Sequence, residues 1–276
     1  MHLRFCVEGR ENELNMNEIP LLFGSPSDAA FFNPLDFVKY AQKKGHGYDV
    51  RLPRRVILCF DDALFEHVKK LAARFEKKEA RFANKYLTAF LRWREKEIAV
   101  IKLDIGGPGS VAAVEEAIVL GARDFLVIGF AGGISPSLET GDFILPLKAI
   151  RDEGTSYHYL LPSKYSFPDA GLTKKVAAAC AKHGIAPFKG VTWTTDAPYR
   201  ETVRKLEKYR REGVLCVEME AASLFAVAKH RKARIAGLFT VGDLLSGKKW
   251  KPRFHVPRAT EARHKLGKVA LDALVQ

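Results

Sequence analysis

The sequence predicts a single α/β domain of three layers, in which helices flank a central mixed and largely parallel sheet. From residue 54 onward, short apolar runs alternate with segments of helical period, which is the pattern of strands connected by helices. The chain has 276 residues, a length that one α/β unit can fill. No internal repeat divides it. We therefore expect this domain at residues 54–276 and an N-terminal extension at residues 1–53.

The elements follow from the residues in chain order. In the extension, Asn33 and Pro34 are typical of the start of a helix, which continues through LDFVKYAQKK and ends at Gly45. RRVILCF (54–60) is typical of a buried strand, and DALFEHVKKLAARFEKKEAR (62–81) has the period of an amphipathic helix. The same criteria predict strands at 86–93 and 97–103, a helix at 109–121, strands at 124–133 and 142–150, a helix at 172–184, a strand at 188–195, a helix at 201–213, a strand at 214–218, a helix at 219–231, a strand at 233–243 and a helix at 258–274.

The composition excludes several classes of function. The net charge of +13 is carried by basic runs of helical character, without the aromatic-interleaved stripe of a nucleic-acid surface, so we expect no nucleic-acid partner. No apolar run approaches the roughly 20 residues that cross a bilayer, and the N-terminus lacks the apolar stretch of a signal peptide. The four cysteines lack metal-binding spacing. These features predict a cytoplasmic protein with reduced thiols and no bound metal or membrane.

Four segments carry residues that can do chemistry. Taken singly, each has an ordinary structural interpretation: a glycine-rich turn before a helix, a strand entry, or acids at a helix start. In CVEMEAAS, however, Glu218 and Glu220 flank Met219 at the junction of a predicted strand and helix. The four segments are IGGPGSVAAVEEA (105–117), IGFAGGISPSLETGD (128–142), RDEGTSYHYLLPS (151–163) and CVEMEAAS (216–223).

In this order and spacing, the four segments resemble the purine and uridine phosphorylase family, which also includes hydrolytic nucleosidases. The resemblance covers about residues 54–275. It implies that Glu220 accepts hydrogen bonds from the 2′ and 3′ hydroxyls of a ribose, that Met219 packs on the sugar, and that Glu218 is a supporting acid. It further implies roles for two loops. Gly106, Gly107 and Ser110 would lie under the nucleophile, and Phe130 and Gly132 would border the substrate.

The chemistry of glycosidic cleavage fits these residue types. A carboxylate can accept both donors of a ribose diol in charge-assisted hydrogen bonds. Cleavage of the C–N bond builds positive charge on the sugar, so a nearby anion favours the transition state. Asp243, at the end of the last predicted strand, resembles the aspartate with which purine-cleaving members assist the leaving base. A strand-end aspartate is also a common turn residue.

The nucleobase stays open at this stage. RDEGTSYHYLLPS looks more like the corresponding segment of uridine phosphorylases than like that of purine-cleaving members. In TTDAPYRET (194–202), Pro198 stands near the position of a stacking phenylalanine in the family, which leaves Trp193 or Tyr199 as candidate stacking residues. Both are equally typical of core aromatics.

The pattern departs from the family where phosphate binds. Family members place arginines after the first strand and before the second glycine-rich loop; here those stretches carry Asp61, Asp62 and Val127. Phe130 replaces a Thr or Ser. Two interpretations remain open. Other cations, such as Lys85, rebuild the phosphate site, or the nucleophile is a water molecule that Asp61 or Asp62 orients as a general base.

We therefore expect an enzyme that cleaves the N-glycosidic bond of a nucleoside, with phosphorolysis giving the free base and ribose 1-phosphate. Hydrolysis is the alternative, and a non-catalytic nucleoside binder is the third hypothesis. No metal or organic cofactor is implied, and inorganic phosphate is the expected co-substrate. The resemblance also implies a homo-oligomer, either a dimer or a hexamer.

Overall fold

A computed structural model of the chain describes residues 2–7, 10–15, 24–74, 80–82, 85–247 and 249–276. In this part of the chain the helices are α1 (Pro34–Lys43), α2 (Asp62–Leu71), α3 (Gly107–Val119), α4 (Ala170–Lys182), α5 (Val203–Arg211), α6 (Ala221–His230) and α7 (Pro257–Leu274). The strands are β1 (His2–Val7), β2 (Arg10–Asn15), β3 (Arg55–Cys59), β4 (Ala73–Arg74), β5 (Ala80–Phe82), β6 (Tyr86–Trp93), β7 (Lys96–Lys102), β8 (Asp124–Gly133), β9 (Phe143–Asp152), β10 (Tyr165–Ser166), β11 (Phe188–Thr195), β12 (Val214–Glu218), β13 (Arg234–Leu244) and β14 (Lys251–Pro252).

The main sheet has 12 strands in the order β14-β13-β9-β11-β12-β8-β3-β7-β6-β4, with β10 beside β9 and β5 beside β6. The pairs β7–β3, β3–β8, β8–β13, β9–β11 and β11–β12 are parallel, whereas β6–β7 is antiparallel. The predicted mixed and largely parallel sheet is thus confirmed. An additional pairing of β13 with β8 closes β8, β12, β11, β9 and β13 into a ring, which no local pattern predicts. Within the described part of the chain, β1 and β2 pair only with each other.

Helices cover both faces of the sheet, as expected for three layers. α1, α3 and α6 pack together on one face, and α2, α4 and α7 pack on the other. Strand β3 shows why both faces are buried: Val56 and Leu58 point into one core, and Ile57 and Cys59 into the other. Such a strand is apolar throughout rather than alternating, which is what its sequence predicted.

One helix ends earlier than the sequence predicts. The helix predicted at 62–81 ends at Leu71, because the chain then forms β4 and β5, which pair with β6. The predicted helix after Asn33 is confirmed, with the Asn33 side chain capping it. Val38, Tyr48 and Leu52 pack into the same core as α3 and α6, so this part of the extension is integral to the globular core.

Among the described residues, no helix is long and apolar enough to cross a bilayer. The same residues contain no group of three or more His, Cys, Asp or Glu side chains arranged to hold a metal ion.

Candidate active site

The predicted site residues gather at the carboxyl ends of adjacent parallel strands. β7, β3, β8 and β13 run parallel side by side, so the residues that follow them meet at one edge of the sheet. Asp61 follows β3, Gly106 follows β7, and Gly132 and Asp243 pair where β8 and β13 end. This edge is where open α/β sheets bind ligands.

Glu220 joins two of the four sequence segments. It lies between β12 and α6, is only 6% exposed, and its Oε1 accepts a hydrogen bond of 2.6 Å from the backbone N–H of Gly106. The neighbouring Met219 is half-buried. Segments that are 114 residues apart in the chain therefore meet, as their joint assignment to one site requires.

Burial strongly perturbs this carboxyl group. Burial first, and then the negative charge of Glu218, raises the pKa of Glu220 from 4.5 to about 8, although the N–H groups of Gly106 and Met219 partly offset the shift. A pKa raised in this way favours the protonated form of Glu220. Donors from a bound diol would favour its ionised form.

Glu218, predicted as a supporting acid, is held by protein donors. Its Oε1 accepts from the hydroxyls of Thr194 (2.6 Å) and Thr192 (3.2 Å). Its Oε2 accepts from the backbone N–H groups of Glu220 (2.8 Å) and Ala221 (2.6 Å). These four donors satisfy both oxygens, so Glu218 fixes the first turn of α6 and thereby the position of Glu220.

The loop before α3 approaches α6 closely. Gly106 has a φ of +108°, a conformation that a side chain would strain. A Cβ on Gly107 would lie 2.8 Å from Ser223 Oγ, so a glycine is required for this contact between α3 and α6. Ser110 Oγ is buried and makes no hydrogen bond within the described residues. The loop thus presents a helix N-terminus and a hydroxyl without a protein partner.

Lys85 lies at the start of β6, close to this loop. Its Nζ is 5.0 Å from the ring centroid of Tyr86, and the Tyr86 hydroxyl is 3.5 Å from the carbonyl oxygen of Gly109. Lys85 is exposed and lies near the carboxyl group of Glu116. Burial raises the pKa of Glu116, and the positive charge of Lys85 offsets part of that rise.

Asp243 borders a cavity of about 820 Å³. Its Oδ2 accepts a hydrogen bond of 2.6 Å from the indole N–H of Trp250, and burial raises its pKa. A Cβ on Gly132 would lie 3.3 Å from Asp243 Oδ1, so this glycine allows the aspartate to approach β8. The cavity is lined by Pro198, Tyr199, Glu201, Val203, Leu206, Glu207, Arg210, Asp243, Leu245, Ser246, Gly247, Lys249 and Trp250.

The two candidate stacking residues lie in different environments. Tyr199 is 99% exposed at the rim of this cavity. Trp193 is 0% exposed, contacts Tyr209 in the core, and donates its N–H to Asp152. The prediction that Trp193 could stack on a base is therefore wrong, because the side chain is enclosed by protein.

Glu201 was not identified from the sequence. It lines the same cavity as Asp243, and burial, followed by the charge of Asp243, raises its pKa to about 7. No local pattern distinguishes it from other loop acids, because its environment is made by α5 and the end of β13.

The acids after β3 are held by the protein. Asp61 caps α2 by accepting from the N–H of Leu64 at 2.6 Å, and Asp62 forms an ion pair of 2.5 Å with Lys102. Asp61 also lies 3.4 Å from Nε of Arg263 on α7. That guanidinium stands 4.9 Å from the ring centroid of Phe130, and its Nε is buried without a hydrogen-bond partner among the described residues.

Arg263 is thus a cation at the edge of the site that sequence reasoning missed. Arg151, at the start of the RDEGTSYHYLLPS segment, is buried and donates to the carbonyl oxygens of Leu160 and Leu161 and to the hydroxyls of Ser156 and Ser163. Its donors are occupied by protein acceptors.

Comparison with known proteins gives relatives of similar sequence. The chain is 30% identical over 177 residues to a uridine phosphorylase from Thermococcus kodakarensis, covering 59% of this chain and 64% of that protein. It is 29% identical over 152 residues to a guanosine phosphorylase from Halorubrum lacusprofundi, covering 55% and 63%. The matched part spans less than two thirds of the length of these two relatives.

The fold agrees with a solved structure. A purine nucleoside phosphorylase from Toxoplasma gondii superposes with a TM-score of 0.73 at 24% identity, over 82% of this chain and 91% of the other. The family model of the phosphorylase superfamily matches residues 54–276. This match over most of the chain establishes that the chain belongs to the phosphorylase superfamily.

Proposed function

We propose that this protein cleaves the N-glycosidic bond of a nucleoside by phosphorolysis, giving the free base and ribose 1-phosphate. The observation that carries the proposal is the buried Glu220 carboxyl group, held by the Gly106 N–H at the carboxyl edge of the sheet. The uridine and guanosine phosphorylases among its relatives support the same reaction.

Glu220 is suited to the sugar. Its Oε1 accepts from the Gly106 N–H, which fixes the carboxyl group at this edge of the sheet. When the ribose hydroxyls donate to the carboxyl group, they stabilise its anionic form. As the C–N bond breaks, the sugar becomes cationic, and an anion within the buried site stabilises that charge more strongly than it stabilises the ground state.

Asp243 is suited to the leaving base. A departing base anion is a poor leaving group unless it receives a proton or a strong hydrogen bond. Burial raises the pKa of Asp243, which favours the protonated acid. The Trp250 N–H fixes Oδ2, and Oδ1 lies beside Gly132 of β8. The cavity of about 820 Å³ that it borders can contain a nucleobase.

The nucleophile is proposed to be phosphate, which lies against the N-terminus of α3. Helix N-termini bind phosphate through their free N–H groups, and the Ser110 hydroxyl supplies an unpaired donor there. Arg263 supplies the cation that the sequence pattern lacks. Asp61 and Asp62 are each paired with a cation, which weakens the argument for either as a base that activates water.

Product analysis tests this proposal. The purified protein would be incubated with guanosine, inosine, adenosine and uridine, with and without phosphate, and the products separated. We expect base release that requires phosphate and yields ribose 1-phosphate. Free ribose formed equally well without phosphate would establish hydrolysis instead, and no release of base from any nucleoside would leave only a binding protein.

We also propose that the chain forms a homo-oligomer. Several apolar side chains on and before α1 are exposed, including Phe31 (105%), Phe32 (65%) and Tyr40 (55%), and exposed patches of this kind are typical of protein interfaces. Light scattering after gel filtration would give the subunit number; a monomer at micromolar concentration would contradict the proposal.

A further inference from the structure

A second cavity, of about 580 Å³, lies at the edge of the sheet opposite to the candidate active site. It forms where the chain enters the parallel strands β3 and β8, whereas the candidate site residues follow those strands. Arg54 precedes β3 and Asp61 follows it, and a strand rises about 3.3 Å per residue, so the two edges are roughly 20 Å apart. The cavity is lined by Arg51, Leu52, Pro53, Arg54, Phe90, Glu97, Gly121 and Arg123.

Backbone contacts hold the segments before β3 and β8 together. The N–H of Leu52 donates to the carbonyl oxygen of Leu120 at 2.9 Å. The N–H of Arg123 donates to the carbonyl oxygen of Arg54, also at 2.9 Å. Gly121 has a φ of +117°, and a Cβ there would lie 2.9 Å from the carbonyl oxygen of Leu52, so this close approach requires a glycine. The walls of the cavity are therefore preorganised.

The rim of this cavity is positively charged. Arg51, Arg54 and Arg123 are all exposed there. Glu97, an exposed acid at the start of β7, is the one acid among the lining residues, so three cations and one anion leave a net charge of +2. Cations held close together repel one another, and an anion bound among them relieves that repulsion.

The arginines also have N–H donors to offer. Nε of Arg54 donates to the buried Asp124 at 2.9 Å, and Nη1 of Arg123 donates to two backbone carbonyl oxygens at the end of α3. A guanidinium has five N–H donors, so these contacts orient both side chains while their other nitrogens keep donors for a ligand. The guanidinium of Arg51 makes no hydrogen bond or ion pair with a residue that the structure describes.

We propose that this cavity binds an anion with two or more linked phosphate groups, such as tripolyphosphate or the phosphate chain of a nucleoside triphosphate. A phosphate group presents three acceptor oxygens, so guanidinium groups that approach from both segments can be satisfied together, whereas a carboxylate presents two oxygens in one plane. A volume of about 580 Å³ is typical of small-molecule sites and far exceeds one orthophosphate ion. The site is separate from the phosphate site proposed at α3 and does not depend on the proposed function.

Calorimetric titration of the whole protein with tripolyphosphate, ATP, orthophosphate and citrate tests the proposal. Arg51→Gln and Arg51→Glu remove and reverse one charge without breaking a contact to a described residue. Glu97→Gln removes the acid from the same rim. Arg258→Gln is a matched control, because Arg258 pairs with Asp142 beside the end of β13, at the other edge of the sheet.

We expect tripolyphosphate and ATP to bind about 10-fold or more tightly than orthophosphate or citrate, and all binding to weaken as salt rises. Arg51→Gln should weaken the binding of tripolyphosphate and ATP about 10-fold, and Arg51→Glu about 100-fold, because a charge-assisted bond is lost and then replaced by repulsion. Glu97→Gln should strengthen their binding. Arg258→Gln and Arg263→Gln should leave it unchanged.

Three results would overturn the proposal: equal binding of tripolyphosphate by the wild type and Arg51→Glu, weakening by Arg263→Gln as large as that by Arg51→Gln, or citrate binding as tight as that of tripolyphosphate. Equal affinities for ATP and tripolyphosphate would identify the phosphate chain alone as the recognised group. Tighter binding of ATP would add the nucleoside to it. Both of these outcomes sustain the site.

Discussion

At the scale of single residues, the site depends on an acid kept in an unfavourable environment. Glu220 is 6% exposed and lies next to a second buried acid, Glu218, which is why its pKa reaches about 8. Glu218 is satisfied by four donors, whereas the N–H groups of Gly106 and Met219 offset the raised pKa of Glu220 only in part. An incompletely satisfied buried carboxyl group of this kind is typical of functional sites rather than of stable cores.

Replacement of Glu220 tests its role directly. Glu220→Gln retains the shape and an acceptor for the Gly106 N–H but cannot become an anion. We expect kcat/KM for nucleosides to fall by about 10²–10³-fold, the loss typical of one strong electrostatic group in a dry site. Glu97→Gln serves as the control. Turnover within threefold of the wild type would contradict the assignment.

Replacement of Asp243 separates protonation of the base from binding of the sugar. Asp243→Asn still accepts from Trp250 but supplies no acidic proton, so we expect kcat for nucleosides to fall by about 10²-fold. A riboside with a nitrophenolate leaving group needs no proton, and its cleavage should be nearly unchanged. An equal loss on both substrates would mean that Asp243 acts in another way.

At the scale of elements, the contact of α3 with α6 sets the geometry of Glu220. Gly107→Ala places a methyl group 2.8 Å from Ser223 Oγ, so we expect a loss of about 1–3 kcal/mol in the free energy of unfolding and a fall in kcat/KM. Adding Ser223→Ala removes that oxygen and should recover part of both. Denaturant unfolding of the four proteins of this cycle measures the coupling. Independent effects would show that the two side chains do not interact.

Arg263 on helix α7 is the cation proposed to bind phosphate. Arg263→Gln should raise the KM for phosphate about 10-fold or more while changing the KM for the nucleoside little, because one charge-assisted bond to the anion is lost. Arg258→Gln provides a matched control on the same helix, since Arg258 pairs with Glu139 and Asp142 at the surface. An unchanged KM for phosphate in Arg263→Gln would refute this role.

The elements also show what local sequence can and cannot predict. The start of α1 was predictable because Asn33, Pro34 and Asp36 form its cap within four residues. The end of α2 was not, because its helical pattern continues to residue 81, whereas Ala73–Arg74 and Ala80–Phe82 pair with β6 as strands. Tertiary pairing overrides local propensity there.

At the scale of the whole molecule, the four ordered segments placed Glu220 and the Gly106 loop in one site. The part of the site around Asp243, proposed to bind the nucleobase, depends instead on closure of the sheet. The pairing of β13 with β8 brings Asp243 beside Gly132. Glu201 and Arg263 acquire their environments from elements remote in the chain, so neither could be identified from its neighbours in sequence. The burial of Trp193 is likewise a property of the assembled core.

The pH dependence of stability reports on the whole molecule through Glu220. The folded protein keeps a proton on Glu220 up to a pKa of about 8, whereas the unfolded chain releases it near 4.5. Within that window the folded state binds more protons, so rising pH destabilises it, and the loss is complete above pH 8. Glu220→Gln carries no such proton and should escape the loss.

We therefore expect Glu220→Gln to unfold near the wild-type temperature at pH 5 but to have a Tm about 3–8 °C higher at pH 8.5, corresponding to ~1–3 kcal/mol. The raised pKa of Glu218 is present in both proteins and largely cancels in the comparison. Glu97→Gln should follow the wild type throughout. A Tm difference that is independent of pH would mean that Glu220 is ionised in the free protein. If Glu220→Gln gains stability and loses activity, Glu220 is a residue that function retains at a cost in stability.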